Sequence, residues 1–201
     1  MQLKRKTKLI IFGIIIVIIG IIIGIIPLFF EKAKVEKENT KVKEYINNTS
    51  NSLNKSIDSN EDINYSEMLL VLEIPKIGLK RVVYKLDSDL NTIEKNIEIM
   101  KESSLPTEDN GNVILEGHNG NSDISYFNQL HKLNESDLAY IYYQGTKYIY
   151  SVDKIYDVEK DGYVEVTRNK DKNTLTLITC KRNTQDRQLV LIFYLREKQK
   201  Y

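Results

Sequence analysis

The chain has 201 residues, a formal net charge of +1, one Cys, two His, three Pro and nine Gly. That length suits one ordinary domain with room for an appendage. The Pro and Gly counts exclude collagen-like and low-complexity classes. The balanced charge gives no reason to expect a nucleic-acid partner. A single Cys excludes a disulfide framework, and any multi-Cys metal site, within one chain.

Residues 1–8 form a basic stub with Lys4, Arg5, Lys6 and Lys8. Residues 9–30, LIIFGIIIVIIGIIIGIIPLFF, carry no charge. As a helix this run is long enough to cross the ~30 Å hydrocarbon core, where only a helix satisfies a lone segment's backbone polar groups. The basic stub in front and Glu31 behind place the N-terminus in the cytosol and the rest outside, by the positive-inside rule. A cleaved signal peptide would have an apolar region of only ~7–15 residues, then small residues at its cleavage site. Pro27-Leu-Phe-Phe-Glu stands there instead, so the run reads as a signal anchor. Gly20 and Gly24 have the G-x-x-x-G spacing that lets two helices approach, but glycine is common in membrane helices and the pair needs no dimer to explain it. Without the four basic residues of the stub, 25 basic residues face 28 acidic ones, so the exported part is mildly acidic.

Residues 31–62 are rich in Lys, Glu, Asn and Ser and read as a polar juxtamembrane linker. Val35, Val42, Tyr45 and Ile46 are too sparse to promise a core, so a short solvated helix over Lys34–Asn47 is expected, followed by a polar, flexible stretch. Residues 63–201 change texture. Leu69-Leu-Val-Leu-Glu-Ile is a buried strand closed by Pro75 and Gly78. Arg81-Val-Val-Tyr is a second strand. Ile93, Ile97 and Met100 have helical spacing behind a candidate cap at Ser88 or Asp89. Asn112-Val-Ile-Leu-Glu is a strand running to Gly117-His118. Phe127, Leu130 and Leu133 suggest a short helix or turn. Leu138–Tyr143 and Tyr148–Ile155 flank Gln144-Gly-Thr-Lys as a β-hairpin. Thr174–Cys180 and Gln188–Leu195 complete at least seven short strands. That count, with little helix, fits an all-β sandwich or closed barrel.

Among groups that could carry chemistry, an exported, unpaired Cys is a liability unless it has work to do. The alternative is a buried Cys serving as a small hydrophobe. Cys180 ends a strand beside a polar turn, where a reactive group can meet a substrate. A thiol attacks as the thiolate and needs a basic or cationic neighbour. His118 also lies at a strand end, so two strand ends can converge at one rim. His131 reads as a surface or turn residue. Neither His has an i, i+4 partner, and a metal site needs more ligands than cluster here. An attacked carbonyl develops negative charge and needs a donor. Arg187 opens the last strand and is fixed there, whereas Arg182 sits within the turn.

These residues resemble the sortases, the membrane-anchored cysteine transpeptidases of Gram-positive bacteria. The similarity runs from about Leu69 to Leu195. Leu72-Glu-Ile-Pro-Lys-Ile-Gly-Leu resembles the family's first strand, and Ser104-Leu-Pro with Gly111-Asn-Val-Ile-Leu-Glu-Gly-His resembles the segment bearing its catalytic His. Thr176-Leu-Ile-Thr-Cys matches the family's T-L-x-T-C signature, and Arg187 opens the next strand as the family's catalytic Arg does. The resemblance implies an eight-stranded, closed, sortase-type β-barrel. It implies Cys180 as nucleophile on the Thr–Gly bond of an LPXTG-like sorting signal, and His118 as general acid and base. It also implies Arg187 for oxyanion support or substrate positioning, and Thr179 for substrate binding. Partners would be surface proteins bearing such signals, and a peptidoglycan-precursor or pilin amine as acceptor. No pilin-type lid motif precedes the barrel, no second membrane helix follows it, and the stretch from Ile155 to Thr174 is short. A class A- or D-like enzyme is therefore expected. No cofactor is expected. Glu102, Glu108 and Asp109 read as solvated loop carboxylates rather than calcium ligands. Two other readings of the residues stand beside this one: a thiol hydrolase with water as acceptor, and a non-catalytic tethered β-domain with Cys180 buried.

Overall fold

The computed structural model describes residues 2–50, 65–160, 164 and 166–201. It has two compact units that divide between Thr40 and Lys41. The boundary expected at residue 63 and the end of the flexible stretch expected from Asn47 lie outside the described residues, while its first part, Asn47 to Ser50, is helical instead.

The first unit is the front of one helix, α1 (Gln2–Ser50). Every residue from Ile14 to Pro27 is exposed, and this helix is long and apolar enough to cross a membrane. The sequence suggested an anchor followed by a separate helix. The chain instead stays helical through Ser50, because residues 31–50 contain no Gly or Pro and are dominated by good helix formers.

The second unit starts within that helix. Val42, Tyr45 and Ile46 lie at i, i+3 and i+4, so they share one face. They pack with Met68, Val71, Val82, Tyr84 and Tyr142. The Tyr45 hydroxyl donates to the Leu69 carbonyl, and Lys41 Nζ donates to the Tyr84 hydroxyl at 3.1 Å. Three apolar residues proved enough to make these last turns part of the domain, because a sheet face was there to receive them. Burial pushes the Tyr45 phenol well above its ordinary value, with Tyr201 adding to the shift.

Eight strands follow: β1 (Met68–Ile74), β2 (Leu79–Tyr84), β3 (Glu98–Ile99), β4 (Asn112–Glu116), β5 (Leu138–Tyr143), β6 (Thr146–Glu159), β7 (Thr174–Cys180) and β8 (Arg187–Lys200). They form one sheet in the order β2-β1-β5-β6-β8-β7-β4-β3. All neighbours are antiparallel except β4 and β7, which are parallel. The sheet curls into a nearly closed barrel. Between its ends, β2 and the segment before β3 are joined by a side chain. Asn96 Nδ2 donates to the Val82 carbonyl at 2.9 Å and its Oδ1 accepts from Arg81 Nε at 2.8 Å. Irregularities in the β6–β8 pairing, between Ile149 and Tyr150 and between Val152 and Lys154, supply the local bends that closure needs.

The interior is filled from alternate strand positions, including Leu70, Leu72, Ile74, Leu115, Ile141, Leu175, Leu177, Leu191 and Phe193. β1 is buried on both faces because the end of α1 covers Val71, which explains its nearly continuous apolar run. The outer face of β8 is also covered: Val190, Ile192 and Tyr194 pack with Tyr156, Val158, Val164 and Val166. The β5–β6 hairpin turns on Gln144 (φ 45°) and Gly145 (φ 70°), the two positive φ values of a type I′ turn.

One expected element is absent. Leu90–Met100 forms turns and then β3 instead of a helix. Its asparagines explain the difference, because they bond the backbone in place of helical partners. Asn91 exchanges two hydrogen bonds with Ile99, donating to its carbonyl at 3.1 Å and accepting its N–H at 2.8 Å. Ser88 does accept the Leu90 N–H at 3.1 Å, so a capping bond exists without a helix behind it. The helix or turn expected around Phe127–Leu133 contains a single 3-10 turn, Leu130–Lys132.

Candidate active site

The parallel β4–β7 pair brings two chemically active residues to one rim. Its register sets Glu116 beside Ile178. Continued two residues, that register sets His118 beside Cys180. The continuation is held by hydrogen bonds. Gly117 N–H donates to the Ile178 carbonyl at 3.2 Å, and buried Thr179 donates its hydroxyl to the Gly117 carbonyl at 2.7 Å. Asn119 Nδ2 then donates to the Cys180 carbonyl at 2.8 Å. His118 is tied from behind, its carbonyl accepting the Phe127 N–H at 3.0 Å. Phe127 is fully buried, and a Cβ on Gly117 would lie 2.9 Å from its ring. Gly117 is therefore needed for the close approach of that ring, immediately before His118. Cys180 itself is half-buried and unpaired.

The opposite wall is ionic. Arg187 Nε donates to Asp157 Oδ2 on β6, and Arg187 Nη2 donates to the Asp157 carbonyl at 3.2 Å. Lys181 Nζ lies 3.2 Å from the other oxygen of the same carboxylate. These two cations, Arg187 first, hold the Asp157 carboxyl below its usual range. Strand geometry explains the pairing. Cys180 pairs with Gln188 across β7–β8, and Leu189 pairs with Asp157 across β6–β8. The pleat therefore sets Arg187 on the Leu189–Asp157 face, away from the Cys180 face. The cation at the sulfur is Lys160, whose Nζ donates to Cys180 Sγ at 3.7 Å. Its backbone N–H donates to the Asp186 carbonyl at 2.7 Å, joining the end of β6 to the β7–β8 turn.

A partly buried carboxylate completes the rim. Glu116 is held above the usual carboxylate range by burial and by Glu98, its partner across β3–β4, while Lys160 and His118 pull it back down. Glu94 is held below its usual range, chiefly by a hydrogen bond from Thr92, with His118 adding to the effect.

The structure thus brings His118, Thr179 and Cys180 together and sets Arg187 on the neighbouring strand. It leaves His131 exposed on its 3-10 turn and Arg182 exposed in the β7–β8 turn. Glu102, Glu108 and Asp109 are exposed, and among the described residues no group of three or more His, Cys, Asp or Glu gathers as a metal site. Sequence reasoning did not single out Asn119, Asp157 or Lys160. Asn119 adjoins His118 and was findable from that neighbour. Asp157 and Lys160 carry no local signal, since their roles depend on strand register.

The barrel thus presents a half-buried Cys and a His at the ends of two adjacent parallel strands. The model of the sortase domain matches residues 72–195, and the chain belongs to the sortase family. Sortases are cysteine transpeptidases. A curated relative, sortase D of Bacillus subtilis (strain 168), is 29% identical over 110 residues, 55% of this chain and 52% of that protein. The chain thus spans about half the length of the curated relative it matches. Among solved structures, the Clostridium perfringens sortase D5 transpeptidase is 20% identical with a TM-score of 0.59, over 80% of this chain and 98% of that one. Clostridium perfringens sortase C, solved with the C-terminal cell wall sorting motif, is 22% identical with a TM-score of 0.57, over 82% and 90%. Both share the fold.

Proposed function

We propose that this chain is a class A- or D-like sortase that cleaves an LPXTG-like sorting signal and transfers the acyl group to an amine. Cys180 Sγ attacks the Thr carbonyl carbon, forming the C–S bond of a thioester. The C–N bond to Gly breaks and His118 gives its proton to the departing amine. An incoming amine then attacks the thioester, the C–S bond breaks, and the amine's proton passes to His118. Arg187, held by Asp157 beside the Cys180 strand, positions the substrate. Thr179 holds the Gly117 carbonyl and so the spacing of the two strand ends. The acceptor is a peptidoglycan-precursor or pilin amine, and the donors are surface proteins carrying the signal. No cofactor takes part. Residues 9–30 anchor the enzyme with its N-terminus in the cytosol and the barrel outside.

The observation that carries this reading is the linkage of the His118 and Cys180 strand ends by the Thr179–Gly117 and Asn119–Cys180 hydrogen bonds. The sorting motif bound to Clostridium perfringens sortase C supports the substrate class. The test offers full-length chain, in detergent, a library of sorting-signal peptides with several amines, and reads the products by mass spectrometry. Amine-dependent products, absent with Cys180→Ala, are expected. Products that are the same whatever amine is added would make the chain a hydrolase, and cleavage by Cys180→Ala would end the thiol mechanism.

A further inference from the structure

Among the described residues three cations stand around the end of β7, and the structure gives them different partners: Lys181 and Arg187 share the Asp157 carboxylate. Arg187 is engaged by both the carboxylate and the carbonyl of Asp157. Lys160 has its ammonium against the Cys180 sulfur. A backbone hydrogen bond to Asp186 fixes where Lys160 leaves β6. Its charge also reaches Glu116, the carboxylate that His118 influences too. Lys160 therefore belongs to one electrostatic group with Glu116, His118 and Cys180.

We propose that Lys160 is a catalytic residue: its ammonium is the cation that stabilises negative charge at the Cys180 sulfur and on the oxyanion formed beside it. Its role in the reaction rests on the transpeptidase reading. Lys160 takes no proton and forms no bond; it remains an ammonium while Cys180 and His118 exchange bonds and protons. The division of labour is then clear. Asp157 holds Arg187 for the substrate, and Lys160 supplies charge where the sulfur reacts. The ammonium contact also makes the thiol's immediate surroundings receptive to anions, which can be measured without any substrate.

The test labels Cys180 in the full-length chain, in uncharged detergent at one pH. It uses two methanethiosulfonate reagents of similar size, one bearing a sulfonate and one a quaternary ammonium. A unit charge about 4 Å from another, in water-like surroundings, changes such rates by about fivefold. Lys160→Gln should lower the ratio of sulfonate to ammonium labelling rates at least about fivefold. Lys160→Arg should keep the ratio near the parent's. Arg182→Gln, which removes an exposed charge from the adjacent turn, should leave it within about twofold. A Lys160→Gln ratio within about twofold of the parent's would overturn the proposal. So would an equal change in Arg182→Gln, which would mean a diffuse field rather than a contact. Lys160 is exposed, so its substitution does not threaten the fold. If the labelling ratio shifts but no peptide is processed, the transpeptidase reading fails and with it the catalytic role, leaving only the anion-receptive contact. If peptides are processed and the ratio does not move, the Lys160 proposal fails alone.

Discussion

The two walls of the candidate site are built from different interactions. The β4–β7 wall holds His118 and Cys180 with neutral hydrogen bonds and packing: Thr179 to Gly117, Asn119 to Cys180, and the buried Phe127 ring against Gly117. The β6–β8 wall holds Arg187, Lys181 and Lys160 through charge, on side chains that stay partly or fully exposed. Buried neutral bonds tolerate little movement, since any loosening leaves a polar group unsatisfied. Exposed ion pairs are individually weak and exchange partners readily. The first wall therefore sets geometry between nucleophile and proton carrier. The second can meet charge that appears and disappears during acyl transfer.

The sharpest test of that contrast is on the neutral wall. His118→Gln keeps a hydrogen-bonding side chain but removes the proton carrier, and should lower kcat/KM for a sorting-signal peptide on the order of 10²- to 10⁴-fold, with an unchanged circular dichroism spectrum. Activity within tenfold of the parent would remove His118 from the mechanism. On the ionic wall, Arg187→Ala should cost on the order of 10²-fold, the scale on which misplacing a bound substrate slows the reaction. Arg182→Ala should be nearly silent, and the reverse outcome would exchange their roles.

Gly117→Ala sets packing against charge directly. The added methyl meets the Phe127 ring, and overpacking of this kind costs about 1–3 kcal/mol. We expect a lower Tm and a loss of activity greater than that of Asp157→Asn, because moving Gly117 moves His118. If the order is reversed, the ionic wall is the one that sets geometry. For Asp157→Asn we expect a loss of activity below about tenfold, appearing mainly in KM and restored by Asp157→Glu. Its pH signature has a definite sign. The folded-state carboxyl lies below its ordinary value, so its contribution to stability is present above about pH 4 and is lost as pH falls through the lower folded value. The variant should therefore lose less stability than the parent on acidification below about pH 4. An identical acid limb in the two proteins would mean that the Arg187–Asp157 pair has no energetic weight.

The two walls were also unequally legible in the sequence. Thr176-Leu-Ile-Thr-Cys and Gly117-His118 could be read because each lies in a local pattern, an apolar strand with a chemically active residue at its end. The hairpin at Gln144-Gly145 was readable for the same reason, since alternating apolar strands flank a turn whose positive φ suits the glycine. Asp157 and Lys160 became significant only once β6 and β8 were in register, and that register includes a shift between Val152 and Lys154 that no local pattern announces. Helical spacing misled at Leu90–Met100, where Asn91 and Asn96 spend their side chains on the backbone of distant residues. The end of α1 was undervalued for the converse reason. Val42, Tyr45 and Ile46 are few, but the outer face of β1 and β2 was waiting for them.

The smallest expected effect concerns Glu116, whose carboxyl is influenced by His118 of one wall and Lys160 of the other. It faces Glu98 across β3–β4, a like-charge pair on directly opposed residues, which destabilises a sheet. Burial and Glu98 raise its folded-state carboxyl above the ordinary value, against the pull of Lys160 and His118. The sign follows from linkage. A raised carboxyl contributes stability that is fully present below the unfolded value and is lost as pH rises through the folded value. Above that folded value the parent therefore carries an ionised, partly buried group that the unfolded chain would hydrate better. Glu116→Gln should raise Tm by about 2 °C or less at pH 7 and have a smaller effect at pH 4, by thermal melts at both values. Combined with Lys160→Gln, the gain at pH 7 should grow, because the parent carboxylate then loses the cationic support of Lys160 while the Gln variant has no charge to support. A gain equal at both pH values would assign it to packing, and a lower Tm at pH 7 would mean that the cations of the ionic wall already outweigh burial at this junction.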